Sequence, residues 1–340
     1  MSWKRTIRPA TDRVAKYSGL LRACERRMRA SITVLMYHRV LEDRECTEYP
    51  FPSLVMPRSL FEAQVDYLFE RTRVLPVADA LAQTSDVLQG PKPLVCLTFD
   101  DGYVDNFEIA APALEARGLR GTFFITAGAV QAQAPLWYDQ AASMWALLGR
   151  EKIQNLLSNG CDTSAPLFET RQSWIEWLKA VSTHRRTTIM ATLETQVGKS
   201  ASPCSLMTSD QVRRLAERSH EIGSHTLWHP ILTTMATDKR KNEIEGARKL
   251  LQDWTRRKIE GFCYPNGNFD ANVVRQLREA GHSYACTTQP GRNHKSTSRF
   301  ELRRIDVTRD RVVGADGRFD ELGFRAEISL FREGLRRWTA

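Results

Sequence analysis

The sequence predicts an α/β fold of about seven mostly parallel strands, and two observations carry that expectation. Short apolar runs recur along the chain, and segments of helical period separate most of them, the arrangement of a TIM-like barrel or an open doubly wound sheet. Periodicity leaves the choice between those two open. With 340 residues, 42% hydrophobic and 26% charged, the composition is that of a folded protein with a sizeable core rather than a disordered or fibrous chain.

The elements follow in order. Ile32–Tyr37 reads as a strand, and Ser59 with Glu62 forms a capping box for a helix whose apolar face holds Phe61, Val65, Leu68 and Phe69. Leu94–Phe99 is a second strand. The helix after it carries Phe107, Ala111 and Leu114 and stops at Gly118, before a strand at Thr122–Thr126. After a long interval the rhythm returns. A helix through Val212, Leu215, Ala216 and Ser219 leads to a strand near Ile222, and another through Ile244, Ala247, Leu250, Leu251 and Trp254 leads to one at Ile259–Tyr264. Asp270 caps a helix holding Val274 and Leu277, and strands are expected at Tyr284–Thr288 and Leu302–Val307. Residues 140–207, with Trp145, Trp174 and Trp177, read as a helical insertion that either caps a site or packs on the barrel exterior. The expected organisation is a basic amphipathic helix over 1–30, one domain over 31–315 and a C-terminal helix over 316–340.

The net charge of +9 is local. Residues 1–30 hold nine basic side chains against two acids, a net +7 that leaves +2 for residues 31–340. A nearly neutral body is not that of a nucleic-acid binder, so no nucleic-acid partner is expected. The arm places Val14, Tyr17, Leu21, Cys24 and Met28 against its Arg and Lys residues, which suits either peripheral contact with an anionic membrane or a helix docked on the barrel. No uncharged apolar run approaches the roughly 18–20 residues of a membrane span. The basic residues interrupt any secretory signal, and seven dispersed cysteines without a CxxC pair fit reduced thiols, so a cytoplasmic protein is expected.

The strongest local feature is Thr98-Phe99-Asp100-Asp101-Gly102, at the C-terminal end of an expected buried strand, where parallel α/β folds build function. Adjacent carboxylates repel unless a cation or proton separates their roles, and one binding a metal while the other acts as a base is a natural division. The rival reading is an Asp-Gly turn. His225-Thr226-Leu227-Trp228-His229 adds two imidazoles at i and i+4, which on a helical turn share one face. Two His and one carboxylate give three ligands and leave open positions, as catalytic rather than structural metal sites do.

TFDDG followed about 120 residues later by SHTxxHP resembles the polysaccharide deacetylases, the NodB-homology or carbohydrate esterase family 4 enzymes, over roughly residues 31–310. The resemblance implies a distorted (β/α) barrel and removal of N-acetyl groups from an N-acetylhexosamine-containing polysaccharide, oligosaccharide or lipid-linked precursor. It implies a divalent metal, zinc before Co2+, Ni2+ or Mn2+, held by Asp101, His225 and His229, with Asp100 as general base. The family's Arg-x-Pro-Tyr-Gly strand end corresponds to Phe262-Cys263-Tyr264-Pro265-Asn266-Gly267. The Asn266 N–H is then the candidate oxyanion donor, with Tyr264 and Arg304 as further oxyanion or substrate candidates.

The chain departs from that pattern twice. Cys263 replaces the arginine that orients the catalytic Asp, for which an arginine of Leu302-Arg303-Arg304-Ile305 is the candidate substitute. No C-terminal Leu-x-His-Asp motif is present. Met36-Tyr37-His38-Arg39-Val40 instead resembles the subgroup of poly-N-acetylglucosamine deacetylases with an early Met-Tyr-His motif, which makes His38 the general acid. Tyr103 and Trp228 either stack on sugar rings or pack in the core, and His184, His220, His282 and His294 read as surface or structural. Two rivals remain open: an amidohydrolase of this fold for a small non-sugar amide, and a catalytically silent glycan-binding protein.

Overall fold

The structure is a computed structural model, and it describes residues 19–83, 90–162, 164–197 and 206–338. Its strands are β1 (Ile32–Tyr37), β2 (Arg39–Leu41), β3 (Val55–Pro57), β4 (Arg73–Val74), β5 (Leu94–Phe99), β6 (Thr122–Ile125), β7 (Glu221–Ser224), β8 (Gly261–Cys263), β9 (Tyr284–Cys286) and β10 (Ile305–Asp306). The main sheet runs β10-β1-β5-β6-β7-β8-β9, with β4 paired to the start of β5, and every pairing is parallel. The extended segment ending in β10 touches both edges of that sheet. Leu302 bridges Cys286 on β9, and Ile305 and Asp306 register with Leu35 and Met36 on β1. The fold is thus a distorted (β/α) barrel, which settles the alternative that periodicity left open.

Both faces of β1 and β5 are buried, because helices cover the outside and side chains fill the inside. Alternate residues sort accordingly. Val34, Cys96, Phe124, Cys263 and Cys286 share one apolar cluster, whereas Leu35, Leu97, Phe99 and Phe123 belong to another with the helices Arg58–Arg71 and Ser209–Glu217. Gly223 makes room in the first layer, since a Cβ there would lie 2.4 Å from the Phe124 ring.

Local differences from the expected elements have identifiable causes. The first long helix starts at Arg58, and Ser59 is no cap: Asp43 from the preceding loop accepts its N–H at 3.0 Å, and Glu62 pairs with Arg58 at 2.9 Å. Phe69 is 51% exposed rather than on the apolar face. Asp270 does cap its helix, accepting the Val273 N–H at 2.8 Å. The C-terminal region holds two longer helices, Glu321–Ile328 and Phe331–Trp338, divided at Leu330, whose φ of 56° is left-handed. The helical interruption begins at Trp137. Helices Trp137–Leu156, Arg171–Ala180 and Thr183–Val197 enclose a small core of their own around Trp174, Leu178 and Ile189.

Near the N-terminus, helix Leu20–Met28 docks Leu21 against Ala326 and Phe331 and leaves Arg22, Arg26, Arg27 and Arg29 exposed. Val14 and Tyr17 lie outside the described residues. No helix among the described residues is long and apolar enough to cross a membrane.

Candidate active site

The site lies at the C-terminal ends of β1, β5, β7 and β8. Asp100 follows β5 in extended register, its N–H donated to the Tyr37 carbonyl at 3.0 Å. Asp101 then takes φ 77° and Gly102 φ 89°, so the chain turns sharply and the two neighbouring carboxylates meet different partners. Asp100 falls in with the barrel interior. Both of its oxygens accept from the Arg304 guanidinium, Oδ1 from Nη1 and Oδ2 from Nη2, each at 2.7 Å. Arg304 is itself buried and anchored, with Nε donating to the Thr287 carbonyl at 2.8 Å and Nη1 to Thr98 Oγ1 at 3.1 Å. Burial opposes ionisation of Asp100, but the guanidinium outweighs it and holds the carboxyl below its usual range. Arg304 therefore orients Asp100 and does not line a substrate surface. Arg303, one residue earlier, is exposed.

Asp101 faces the two imidazoles. Its Oδ1 lies 3.3 Å from His225 Nε2 and 3.4 Å from His229 Nε2, and all three side chains are buried. That oxygen has no hydrogen-bond partner. The other ring nitrogen of His225, Nδ1, bonds the Cys263 carbonyl at 2.8 Å, which fixes Nδ1 as a donor and turns Nε2 toward Asp101. A divalent cation with N and O ligands at about 2.0–2.1 Å in tetrahedral array separates those ligands by about 3.3 Å, so an orphaned buried oxygen and two imidazole nitrogens at these distances fit such an ion. A second set, Asp100, His225 and Cys263, is equally close but already holds a cation, because Arg304 Nη2 lies 3.0 Å from Cys263 Sγ as well as bonding Asp100. Burial also pushes the Cys263 thiol up to about 11, so it stays a thiol at neutral pH.

The HxxxH segment is a loop and not the helical turn its spacing suggests. Thr226 and His229 have φ 70° and 55°, and His229 precedes Pro230, where the right-handed helical region is disfavoured. The loop is tied instead. The His229 N–H donates to Thr226 Oγ1 at 3.0 Å, and Glu243, on helix Thr237–Thr255, accepts the Leu227 and Trp228 N–H groups at 2.9 and 3.0 Å. Trp137 Nε1 donates to the His229 carbonyl at 3.0 Å. The helical interruption thus touches the site while also carrying its own core. Sequence reasoning missed Glu243, Trp137 and Tyr138. The Tyr138 hydroxyl donates to Asp101 Oδ2 at 2.7 Å.

The remaining candidates divide. His38 follows Tyr37, which registers with Phe99, so it stands beside Asp100; it is partly exposed and lies within electrostatic reach of Asp100, Asp101 and Asp306. Asn266 sits exposed in a left-handed conformation just beyond β8. Tyr264 does not join them: it is fully buried, its hydroxyl donates to the Phe300 carbonyl at 2.9 Å, and its ring stacks on Phe269, so it packs behind the strand. Tyr103 is buried among other tyrosines, whereas Trp228 is 49% exposed. His220 bonds Glu115 at 2.9 Å, and His282 packs against Phe262, both away from the site.

Comparison with known proteins agrees with this geometry. The family model for polysaccharide deacetylases matches residues 88–285, and the chain belongs to that family. It is a carbohydrate deacetylase. Over 294 residues it is 21% identical to YxkH of Bacillus subtilis (strain 168), named as a polysaccharide deacetylase, covering 86% of this chain and 77% of that one. Among solved structures it resembles the Streptococcus pyogenes deacetylase PplD in complex with acetate (TM-score 0.54, 17% identity, 81% of this chain and 91% of that one). It also resembles IcaB from Ammonifex degensii (TM-score 0.54, 18% identity, 82% and 92%).

Proposed function

We propose that this deacetylase is a divalent-metal-dependent N-deacetylase of an N-acetylhexosamine-containing glycan or its precursor. One observation carries the reading: the convergence of Asp101 Oδ1 with His225 and His229 Nε2, directly beside an ionised, arginine-clamped Asp100. Asp101, His225 and His229 hold the ion, with zinc favoured by the two-nitrogen, one-oxygen donor set. When bound, such an ion supplies Lewis-acid polarisation of the acetamide carbonyl and a more acidic water.

The chain's own residues supply the rest. Asp100 takes a proton from the water that attacks the carbonyl carbon, and Arg304 keeps that carboxylate ionised and aimed. His38 gives a proton to the nitrogen as the C–N bond breaks, so the products are acetate and a free amine. In this reading the Asn266 N–H donates to the carbonyl oxygen as charge develops there. The clamp by Arg304 also supplies what the Cys263 substitution removes, which favours an active enzyme over a silent binding protein.

The test is acetate release from N-acetylglucosamine oligosaccharides. The protein is expected to release acetate, to lose that activity after chelation and to regain it with Zn2+ or Co2+. Hydrolysis of small non-sugar amides with none of these glycans would overturn the substrate assignment. For location we propose a cytoplasmic protein that meets the inner membrane surface through its basic N-terminal region, supported by the exposed arginines of helix Leu20–Met28.

A further inference from the structure

The two sequence motifs account for one oxygen of Asp101 and leave the other unexplained. Oδ1 faces the histidines, while Oδ2 is occupied by the Tyr138 hydroxyl at 2.7 Å. Tyr138 is no barrel residue. It stands in the first turn of helix Trp137–Leu156, and it is 8% exposed. Behind it the Tyr103 hydroxyl lies 2.8 Å away, and the Asp139 carboxyl meets the Tyr103 and Tyr49 hydroxyls at 2.8 and 2.7 Å. The Arg39 guanidinium covers the rings of Tyr49 and Tyr103 at 4.6 and 4.5 Å and is fixed by Asp105 at 2.8 Å. Three separate stretches of chain thus converge on a hydrogen-bonded array whose innermost member touches the candidate metal ligand.

We propose that Tyr138 is a positioning residue for the metal centre: by holding Oδ2 it fixes Asp101 as a one-oxygen ligand and couples the centre to the helical insertion. The inference rests on the metal-dependent reading above. A carboxylate with a free second oxygen can swing to chelate an ion through both, filling a coordination position that water and substrate require. A hydroxyl donated to Oδ2 opposes that swing, because chelation would break a buried hydrogen bond to a charged group. The Tyr103 hydroxyl in turn meets that of Tyr138 at 2.8 Å, so the orientation is set jointly by the insertion that carries Tyr138 and by the loop after β5 that carries Tyr103.

The test uses the full-length apoprotein and needs no turnover. Zinc affinity is measured by competition with a chromophoric chelator, and the coordination of Co2+ is read from its visible spectrum. Tyr138→Phe is expected to bind Zn2+ about 10–100-fold more weakly, with a Co2+ band of lower intensity as a second carboxylate oxygen enters. Tyr49→Phe, at the far end of the array, is expected to stay within about twofold of the parent. Parental affinity with an unchanged Co2+ spectrum in Tyr138→Phe would overturn the inference. Failure of the parent protein to bind either ion would instead overturn the metal-dependent reading, and with it this one. Should Tyr138→Phe not fold, Tyr103→Phe breaks the array one link further out and is judged by the same two readouts, with a loss of about threefold or more expected.

Discussion

At the scale of single residues, the left-handed conformation of Asp101 gives two adjacent buried carboxylates separate surroundings. Asp100 receives a guanidinium, and Asp101 receives two imidazoles and a phenol. Removing one partner of a buried ion pair strands the other, so Arg304→Met is expected to lower stability at neutral pH by about 3–5 kcal/mol, measured by urea unfolding. The folded-state pKa of Asp100 is depressed, so this contribution is present above the unfolded value near 4 and is lost as pH falls. The penalty of Arg304→Met is accordingly expected to shrink in acid. Asp139 behaves oppositely. Burial pushes it up to about 6 against the hydrogen bonds from Tyr49 and Tyr103, so folding favours its protonated form and stability declines as pH rises from about 4 to 6. Asp139→Asn is expected to flatten that decline, so its stability relative to the parent improves between pH 4.5 and 7; an unchanged slope contradicts the assignment. Asp100, Asp101, His225 and His229 were legible because their spacing is a motif. Arg304 was legible through the arginine missing at Cys263, and burial separates it from the exposed Arg303. Tyr138 carried no mark, since nothing in a helix's first turn announces a partner on another element.

At the scale of elements, the loop from His225 to Pro230 shows how an i, i+4 pair can converge without a helix. Thr226 turns the chain, Pro230 opposes helical continuation, and Glu243 gathers two backbone N–H groups from the helix behind. Glu243→Ala leaves those groups without their acceptor. It is expected to speed amide hydrogen exchange at Leu227 and Trp228 and to weaken metal affinity about tenfold, and unchanged exchange at both amides would rule out this anchoring. The strands were legible as apolar runs, but β8 and β9 are shorter than those runs, although just past their ends the Tyr264 N–H still donates to the Cys286 carbonyl at 3.1 Å and the Thr287 N–H to the Leu302 carbonyl at 2.8 Å. The helix at Arg58 shows a further limit: its N-terminal partner, Asp43, comes from a preceding loop and not from the local capping pattern.

At the scale of the whole molecule, the barrel carries the chemistry, while the insertion contributes both a separate core and contacts to the site through Trp137 and Tyr138. The alternation of strands and helices made the α/β class legible. Closure into a barrel was legible only through the TFDDG and SHTxxHP resemblance and not through the alternation, because it depends on Leu302 and Ile305 reaching opposite edges, which periodicity does not encode. The charge is also divided, with the basic arm set apart from a nearly neutral body. If the arm meets a membrane, the protein is expected to co-sediment with anionic vesicles at low salt, and Arg22→Gln, Arg26→Gln and Arg29→Gln together are expected to reduce that binding; parental co-sediment levels in the triple variant would remove the role of this helix. The central claim, that Asp100 and the metal-holding trio have separate roles, is tested most directly by acetate release from Asp100→Asn loaded with Zn2+. The account predicts parental metal content with turnover all but lost, and acetate release at the parental rate would contradict it.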